Sequence, residues 1–458
     1  MDELAFLTAT EQAGLVRRGE VTPLELVETY LERIERLDPE LNAYVTVCAD
    51  EACAAAAGEL PDGPFRGVPL PIKDLTETAG IRTTYSSRAF ADYVPDFDPA
   101  IVRRLKGAGF VVLGKSNTCE LGITAVTESE LNGACRNPWD ASRTPGGSSG
   151  GAAAAVASGM APAAHGTDGG GSIRIPASCC GLYGIKPARG RVSPAPYGGL
   201  EGFATSGPIT RSVLDAAAML DVLAGYEPGD PWWAPPTERP FGEEVGRAPR
   251  QLRVAFTTSP PIEAPVAADC LAAAEDAAAL LGELGHSVEE ATPPWGDHRL
   301  FDLFMKAWQV IPALNGKPIE LFEPNNRALI EAAQRSNAVD YVRATTELRG
   351  MAREIVAFLE PYDLLLTPTL AQPPPAIGSI IGADPWESFR RAGAFTAFTQ
   401  VANITGLPAV SLPLYWGSDG LPIGVQLMGR PADEATLIRV SAQLEQARPW
   451  RDRRPPVT

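Results

Sequence analysis

Apolar positions recur at helical spacing through the first forty residues. Residues 8–18 predict an amphipathic helix capped by Thr8 or Thr10. A second is expected over 24–37, with Thr22 as cap, Pro23 at the first helical position and Glu25 three residues after the cap. An Ala-rich helix should follow over 50–59. The pattern then changes. Gly67-Val68-Pro69-Leu70-Pro71-Ile72-Lys73-Asp74 is a short apolar run ending in charge, which reads as a buried strand leading into a site. Residues 100–107 predict a helix and 110–113 a buried strand. The stretch 132–151 is rich in Gly, Ser and Pro and reads as loop, followed by a small-residue helix over 152–158. Residues 185–192 return to a strand, and 214–223 form a helix.

Farther on, residues 227–251 are rich in Pro and charge and read as an excursion from the core. Strands are expected over 252–256 and 287–290, with a helix over 270–284 between them. Residues 300–358 read as mostly helical. A strand at 364–368 precedes a proline-rich loop at 372–375, and two strands, 409–413 and 422–427, flank a Gly-Ser-Asp-Gly turn. Helices alternate with strands throughout, which predicts an α/β layered fold.

Composition narrows the class. The chain of 458 residues is 45% hydrophobic and 21% charged, with 44 Gly and 43 Pro spread without a period. That argues for a globular, loop-rich protein and against a fibre or a disordered tract. The formal net charge of −17 disfavours a nucleic-acid partner, because such binding rests on neutralising phosphates. The arginines between 448 and 454 read as a short solvated tail. Seven cysteines lack metal-ligand spacing, and reduced thiols in the cytoplasm are the simplest reading. Neither a leader segment nor a membrane span is expected.

Two local patterns mislead. Gly109-Phe-Val-Val-Leu-Gly114-Lys115-Ser116 matches the phosphate-loop spelling, yet its middle residues want to be a strand and a helix precedes them. Gly146-Gly147-Ser148-Ser149-Gly150 contains the nucleophile-elbow spelling, but a turn-rich loop stands where an elbow needs a strand.

Candidate chemistry concentrates in Lys73-Asp74, in 146–151 and in Gly166-Thr167-Asp168-Gly169-Gly170-Gly171-Ser172-Ile173-Arg174-Ile175-Pro176. Three glycines before a serine allow backbone N–H groups to converge on one point, as an oxyanion hole requires. The Ser172 hydroxyl needs a base. His165, seven residues upstream, is one candidate; His286 and His298 are the other histidines. Lys73 is the alternative, since apolar surroundings can lower a lysine pKa enough to leave it neutral. Ser148 could then relay a proton between Lys73 and Ser172. Cys119 and Cys135 read as passive thiols.

These segments, with Gly181 to Pro187 and echoes in 363–369, 403–408 and 420–426, resemble the amidase-signature family of serine hydrolases over nearly the whole chain. The resemblance implies a Ser-cisSer-Lys triad of Ser172, Ser148 and Lys73. It implies an oxyanion hole from the N–H groups of Gly169, Gly170, Gly171 and Ser172, with Ser149, Asp168 and Arg174 bracing the site. It further implies a single α/β/α layered domain spanning 1–458 around a large mixed, mostly parallel twisted sheet. Within it lie an N-terminal helical segment (1–60), a signature core (67–215), the excursion at 227–251 and a helical substrate-side region (300–358). No metal or cofactor is expected, and a homodimer is. The partner is a small-molecule amide, with no nucleic acid and no membrane. From their place relative to the motifs, Leu121, Gly122, Ile123, Thr124, Ala125, Val126 and Trp308 are candidates for substrate contact. Gly169 stands where the family often has threonine, and the Asp-Gly-Gly-Gly-Ser form resembles the branch that includes 6-aminohexanoate cyclic-dimer (nylon oligomer) hydrolases. The expected reaction is amide hydrolysis through an acyl-enzyme; the alternative is a glutamine-hydrolysing amidotransferase subunit.

Overall fold

The computed structural model describes all residues except Met1, 198–201 and 297–298, so His298 lies outside the described residues. The N-terminal helices form where their caps dictate. Ala9–Arg17 starts at Thr8 and Pro23–Leu41 at Thr22, each closed by a reciprocal capping box with Glu11 or Glu25. The second helix runs four residues beyond expectation and stops at Asn42, which takes the left-handed conformation at φ 51°.

Two sheets follow. The smaller has three strands: β1 (Tyr44–Val47), β2 (Pro69–Lys73) and β3 (Val111–Ser116). The larger has eight: β4 (Ala163–Asp168), β5 (Tyr183–Lys186), β6 (Thr205–Thr210), β7 (Arg253–Phe256), β8 (Ser287–Glu290), β9 (Leu364–Pro368), β10 (Ala409–Trp416) and β11 (Pro422–Gly429). Their order across the sheet is β8-β7-β9-β11-β10-β5-β6-β4. The sheet is mixed, but the expectation that it is mostly parallel needs correction. Only β8–β7 and β7–β9 pair in parallel, and the other five pairings are antiparallel. The reason is connection length: β10 and β11 form a hairpin across a tight turn, which only antiparallel strands can do.

Helices cover both faces. One face carries Val213–Leu223, Ala268–Glu283 and Glu434–Ala447, packed on apolar side chains such as Ile185, Val254, Leu366 and Val425. The other carries Pro23–Leu41, Gly150–Ala157 and Arg174–Cys180. Helices Arg299–Trp308, Ala338–Phe358 and Pro385–Phe395 build a third apolar cluster with Ile123 and Phe398.

Some boundaries moved. The strand expected over 185–192 is Tyr183–Lys186, because Pro187 has no N–H to continue the ladder. The Gly109–Ser116 decoy is a helix-turn-strand unit, with Gly109 at φ 90° and β3 after it. The arginine tail is exposed over 451–454, as expected, but is tethered by several contacts. Arg448 pairs with Asp276, and Arg453 and Arg454 lie over the Trp416 and Phe6 rings at 4.0 and 4.1 Å. Among the described residues no helix is long and apolar enough to cross a membrane.

Candidate active site

β2 is buried along its whole length and ends at Lys73, and it packs alongside β4 of the large sheet. There the Lys73 Nζ donates to Ser148 Oγ at 2.8 Å and to Thr167 Oγ1, on β4, at 2.9 Å. Lys73 is wholly buried, and burial pushes its pKa from 10.5 down to about 7; Cys119 and Asp168 oppose the shift but do not cancel it. A lysine in this state is neutral in a sizeable fraction of molecules near pH 7 and can accept a proton.

Ser148 follows a cis peptide bond from Gly147. A side chain at 147 has no room, since a Cβ there would lie 2.6–2.7 Å from the Val126 backbone. Beyond Ser148 the chain turns directly into the helix Gly150–Ala157, with no strand before it. Ser149 holds this loop to the next one: its N–H donates to the Ser172 carbonyl at 3.2 Å, and its hydroxyl to the Thr167 carbonyl at 3.2 Å.

The glycine run lies between β4 and the helix Arg174–Cys180. Asp168, at the end of β4, accepts the Gly171 N–H at 2.8 Å and the Ile173 N–H at 3.2 Å. Gly171 therefore differs from its expected place in the oxyanion hole, because its donor is spent on a carboxylate. The N–H groups of Gly169, Gly170 and Ser172 have no acceptor among the described residues. Gly171 adopts φ 132°, and a Cβ on it would meet Thr399 Oγ1 at 2.4 Å, so only glycine fits.

Asp168 and Arg174 are both buried and form a bidentate pair at 2.9 and 3.0 Å. Burial alone would raise the Asp168 pKa, but the Arg174 guanidinium outweighs it and holds the carboxyl at about 2. Arg174 also donates to the Thr399 carbonyl, Gln426 Oε1 and Asn403 Oδ1, at 2.6–2.8 Å. Asn403 returns a bond to Asp168 Oδ1 at 2.9 Å, and Thr399 donates to the Gly170 carbonyl at 2.6 Å. These C-terminal braces were missed in the sequence reading. Their only early signal was the motif echo around 403 and 426.

Ser172 is 8% exposed and stands in the wall of a pocket enclosing about 490 Å³ of empty space. Gly122, Ile123, Thr124, Ala125 and Trp308 line it as expected. Leu121 and Val126 do not: Leu121 turns into the third cluster, and the Val126 backbone lies against Gly147. Phe301, Phe304, Met305, Phe389, Thr396 and Gln400 also line the pocket, and sequence reasoning had not singled them out. Trp308 stacks on Phe304 at 5.1 Å, and its indole N–H donates to the Ile123 carbonyl at 3.2 Å.

His165 is buried on β4, and neither ring nitrogen has a hydrogen-bond partner. Burial, then the charges of Lys73 and Lys115, push its pKa down to about 3, so it stays neutral. His286 is occupied elsewhere, by the Leu252 N–H and Gln443. Burial raises the thiol pKa of both Cys119 and Cys135, which disfavours a thiolate. Among the described residues no group of three or more His, Cys, Asp or Glu could hold a metal ion.

The family profile described as Amidase matches residues 25–438. The chain belongs to the amidase family. It is 40% identical to a 6-aminohexanoate-cyclic-dimer hydrolase of Paenarthrobacter ureafaciens, over 98% of this chain and 96% of that one. An acylamidase of Rhodococcus erythropolis is 35% identical over 99% of this chain and 98% of its own. A solved structure of 6-aminohexanoate cyclic dimer hydrolase superposes with a TM-score of 0.95 at 38% identity, covering 99% of both chains. The amidase fold and amide C–N hydrolysis are thereby established for this chain.

Proposed function

We propose that this amidase cleaves small amides whose acyl half is neutral and largely apolar through an acyl-Ser172 intermediate, with Ser148 as relay and Lys73 as base. The observation that carries the reading is the 2.8 Å contact between Ser148 Oγ and a buried lysine whose pKa is about 7. Neutral Lys73 takes a proton from Ser148 as Ser148 takes one from Ser172. The Ser172 Oγ attacks the carbonyl carbon, and the N–H groups of Gly169, Gly170 and Ser172 receive the oxyanion; each such donor is worth roughly 3 kcal/mol in the transition state. Collapse breaks the C–N bond, and the proton returns through Ser148 to the leaving nitrogen. Water then attacks the ester by the same relay and frees the acid.

Substrate preference follows from the pocket. Among the described residues no charged side chain lines it, so free glutamine would find no partner among them for its ammonium and carboxylate groups. That disfavours the glutamine-hydrolysing alternative. A ring of two amides joined by polymethylene chains, as in the cyclic dimer of 6-aminohexanoate named for the relatives, suits an aromatic and aliphatic wall. Seven free thiols support a reducing, cytoplasmic setting.

The test is twofold. A fluorophosphonate should label the wild type and not Ser172→Ala. In a panel of glutamine, aryl amides and 6-aminohexanoate oligomers, glutamine should be cleaved most slowly. Lys73→Ala should be inactive on every substrate and His165→Ala active; the reverse pattern removes Lys73 from its role.

A further inference from the structure

We propose that a second cleft beside the pocket over Ser172 receives the amine-side arm of the substrate, and that Glu77 recognises an ammonium group on that arm. The proposal rests on the acyl-Ser172 reading and extends it. An amide carbonyl carries two arms that diverge from the attacked carbon, and in an open-chain amide the second arm can lie outside the first pocket. The walls of the second, open cleft include Leu75, Glu77, Thr167, Tyr197, Ala204 and Trp232, and also Arg189, whose guanidinium is spent on the carbonyls of Gly202, Asn403 and Ile404.

Three contacts put this cleft next to the reacting groups. Thr167, in its wall, accepts the Lys73 Nζ hydrogen bond through Oγ1. Leu75, also in its wall, packs against Gly122 of the first pocket: a Cβ on Gly122 would lie 2.4 Å from Leu75 Cδ1 and 3.2 Å from Ser148 Oγ. Gly169, the first residue of the glycine nest, marks the partition. A Cβ there would meet Trp308 Cη2 at 2.9 Å and Ala204 Cβ at 3.7 Å; Trp308 belongs to the first pocket and Ala204 to the second. When the C–N bond breaks, the nitrogen needs a proton from Ser148. Ser148 bonds Lys73, and Lys73 bonds Thr167, which faces the second cleft. On this proposal the nitrogen and its substituent lie on that side, reached past Gly122 and Thr167.

Glu77 names the chemistry. It is 7% exposed and accepts the Tyr85 phenol at 2.6 Å. No Lys or Arg forms an ion pair with it among the described residues. The nearby Lys115 ammonium is held instead by the Thr76 carbonyl and the Thr78 and Thr83 hydroxyls. A carboxylate removed from water without an ion pair is costly. One phenol donor also leaves it lone pairs to spare. A carboxylate in a cleft that also presents the Tyr197 and Trp232 rings suits a primary ammonium. The ligand class is an amide whose amine half ends in a protonated amine, such as a mono-acylated α,ω-diamine.

The experiment compares three substrates with one acyl group: the primary amide, an N-alkyl amide, and an N-alkyl amide of equal length ending in ammonium. Glu77→Gln should raise KM for the ammonium-tailed substrate roughly tenfold, as for loss of one shielded ion pair. It should leave the other two unchanged. Trp232→Ala, which removes a ring from the cleft wall, should raise KM for both N-alkyl substrates and spare the primary amide. An equal effect of Glu77→Gln on charged and neutral tails, no effect on either, or failure of the wild type to cleave the ammonium-tailed substrate while cleaving the others overturns the proposal. A wild type that cleaves none of the three and takes no fluorophosphonate label would instead overturn the acyl-Ser172 reading.

Discussion

The perturbation that bears most directly on the mechanism is pH. Lys73 must be neutral to accept the Ser148 proton, and burial places its pKa at about 7 instead of 10.5. One unit below that value roughly a tenth of the molecules carry the neutral base, and one unit above it roughly nine tenths do. For an uncharged anilide, kcat/KM should rise about tenfold per unit from pH 5 to near 7 and level off above about 8. Continuous release of the aryl amine measures this. Burial also lowers Lys115 to about 8 and Lys186 to about 7, so the inflection needs assigning. In Lys73→Ala the residual rate should lose the limb. A limb that survives in Lys73→Ala, or a wild-type rate still climbing past pH 9, would refute the assignment. Stability carries the same signature with a determined sign. The folded pKa lies below that of the unfolded chain, so between about 7 and 10.5 the unfolded chain binds more protons here. The stability cost of burying Lys73 is full below about pH 7 and fades as pH rises towards 10.5. Lys73→Met should thus be inactive yet melt higher than wild type, with the largest gain at pH 6.

Other outcomes follow from the same geometry. Arg174→Met leaves the Asp168 carboxylate buried without its cation and should cost about 3–5 kcal/mol in denaturant unfolding, with a fall in kcat. Gly169→Thr drives a Cβ to within 2.9 Å of Trp308, which the Ile123 carbonyl and Phe304 hold in place, so overpacking should cost about 1–3 kcal/mol and raise KM. Adding Trp308→Leu should recover the stability and leave KM altered; no recovery would mean that Trp308 is not what Gly169 accommodates.

Legibility of the site in the sequence depended on where the chemistry is local. The N-terminal caps, the buried run into Lys73 and the polyglycine approach to Ser172 are contiguous, and each could be read as residues of the right kind in the right order. β4 could not. It reads Ala-Ala-His-Gly-Thr-Asp, with little β propensity, and is a strand because β6 pairs along its full length and small side chains let the helix Gly150–Ala157 pack closely. Parallel or antiparallel pairing is a property of connections, and the dominance of antiparallel pairs was invisible for that reason. Thr399, Asn403 and Gln426 lie more than two hundred residues from Arg174, and only folding brings them to it. Thr167 was quoted within the motif, but its bond to Lys73 depends on two sheets meeting edge to edge. Of the wall from Phe301 to Trp308 only Trp308 was singled out, because Phe301, Phe304 and Met305 fit the ordinary spacing of a helix core.

The brace between Arg174 and the residues 399–426 has a consequence for the life of the chain. The nucleophile, its relay and its base have all been synthesised by residue 172. The groups that fix the glycine nest emerge only more than two hundred residues later, with Gln426 on the penultimate element. A nascent polypeptide still on the ribosome thus holds every reactive atom and the local Asp168 bonds, but not the C-terminal contacts that complete the order around them. Hydrolytic power arrives late and abruptly, when the final hairpin docks.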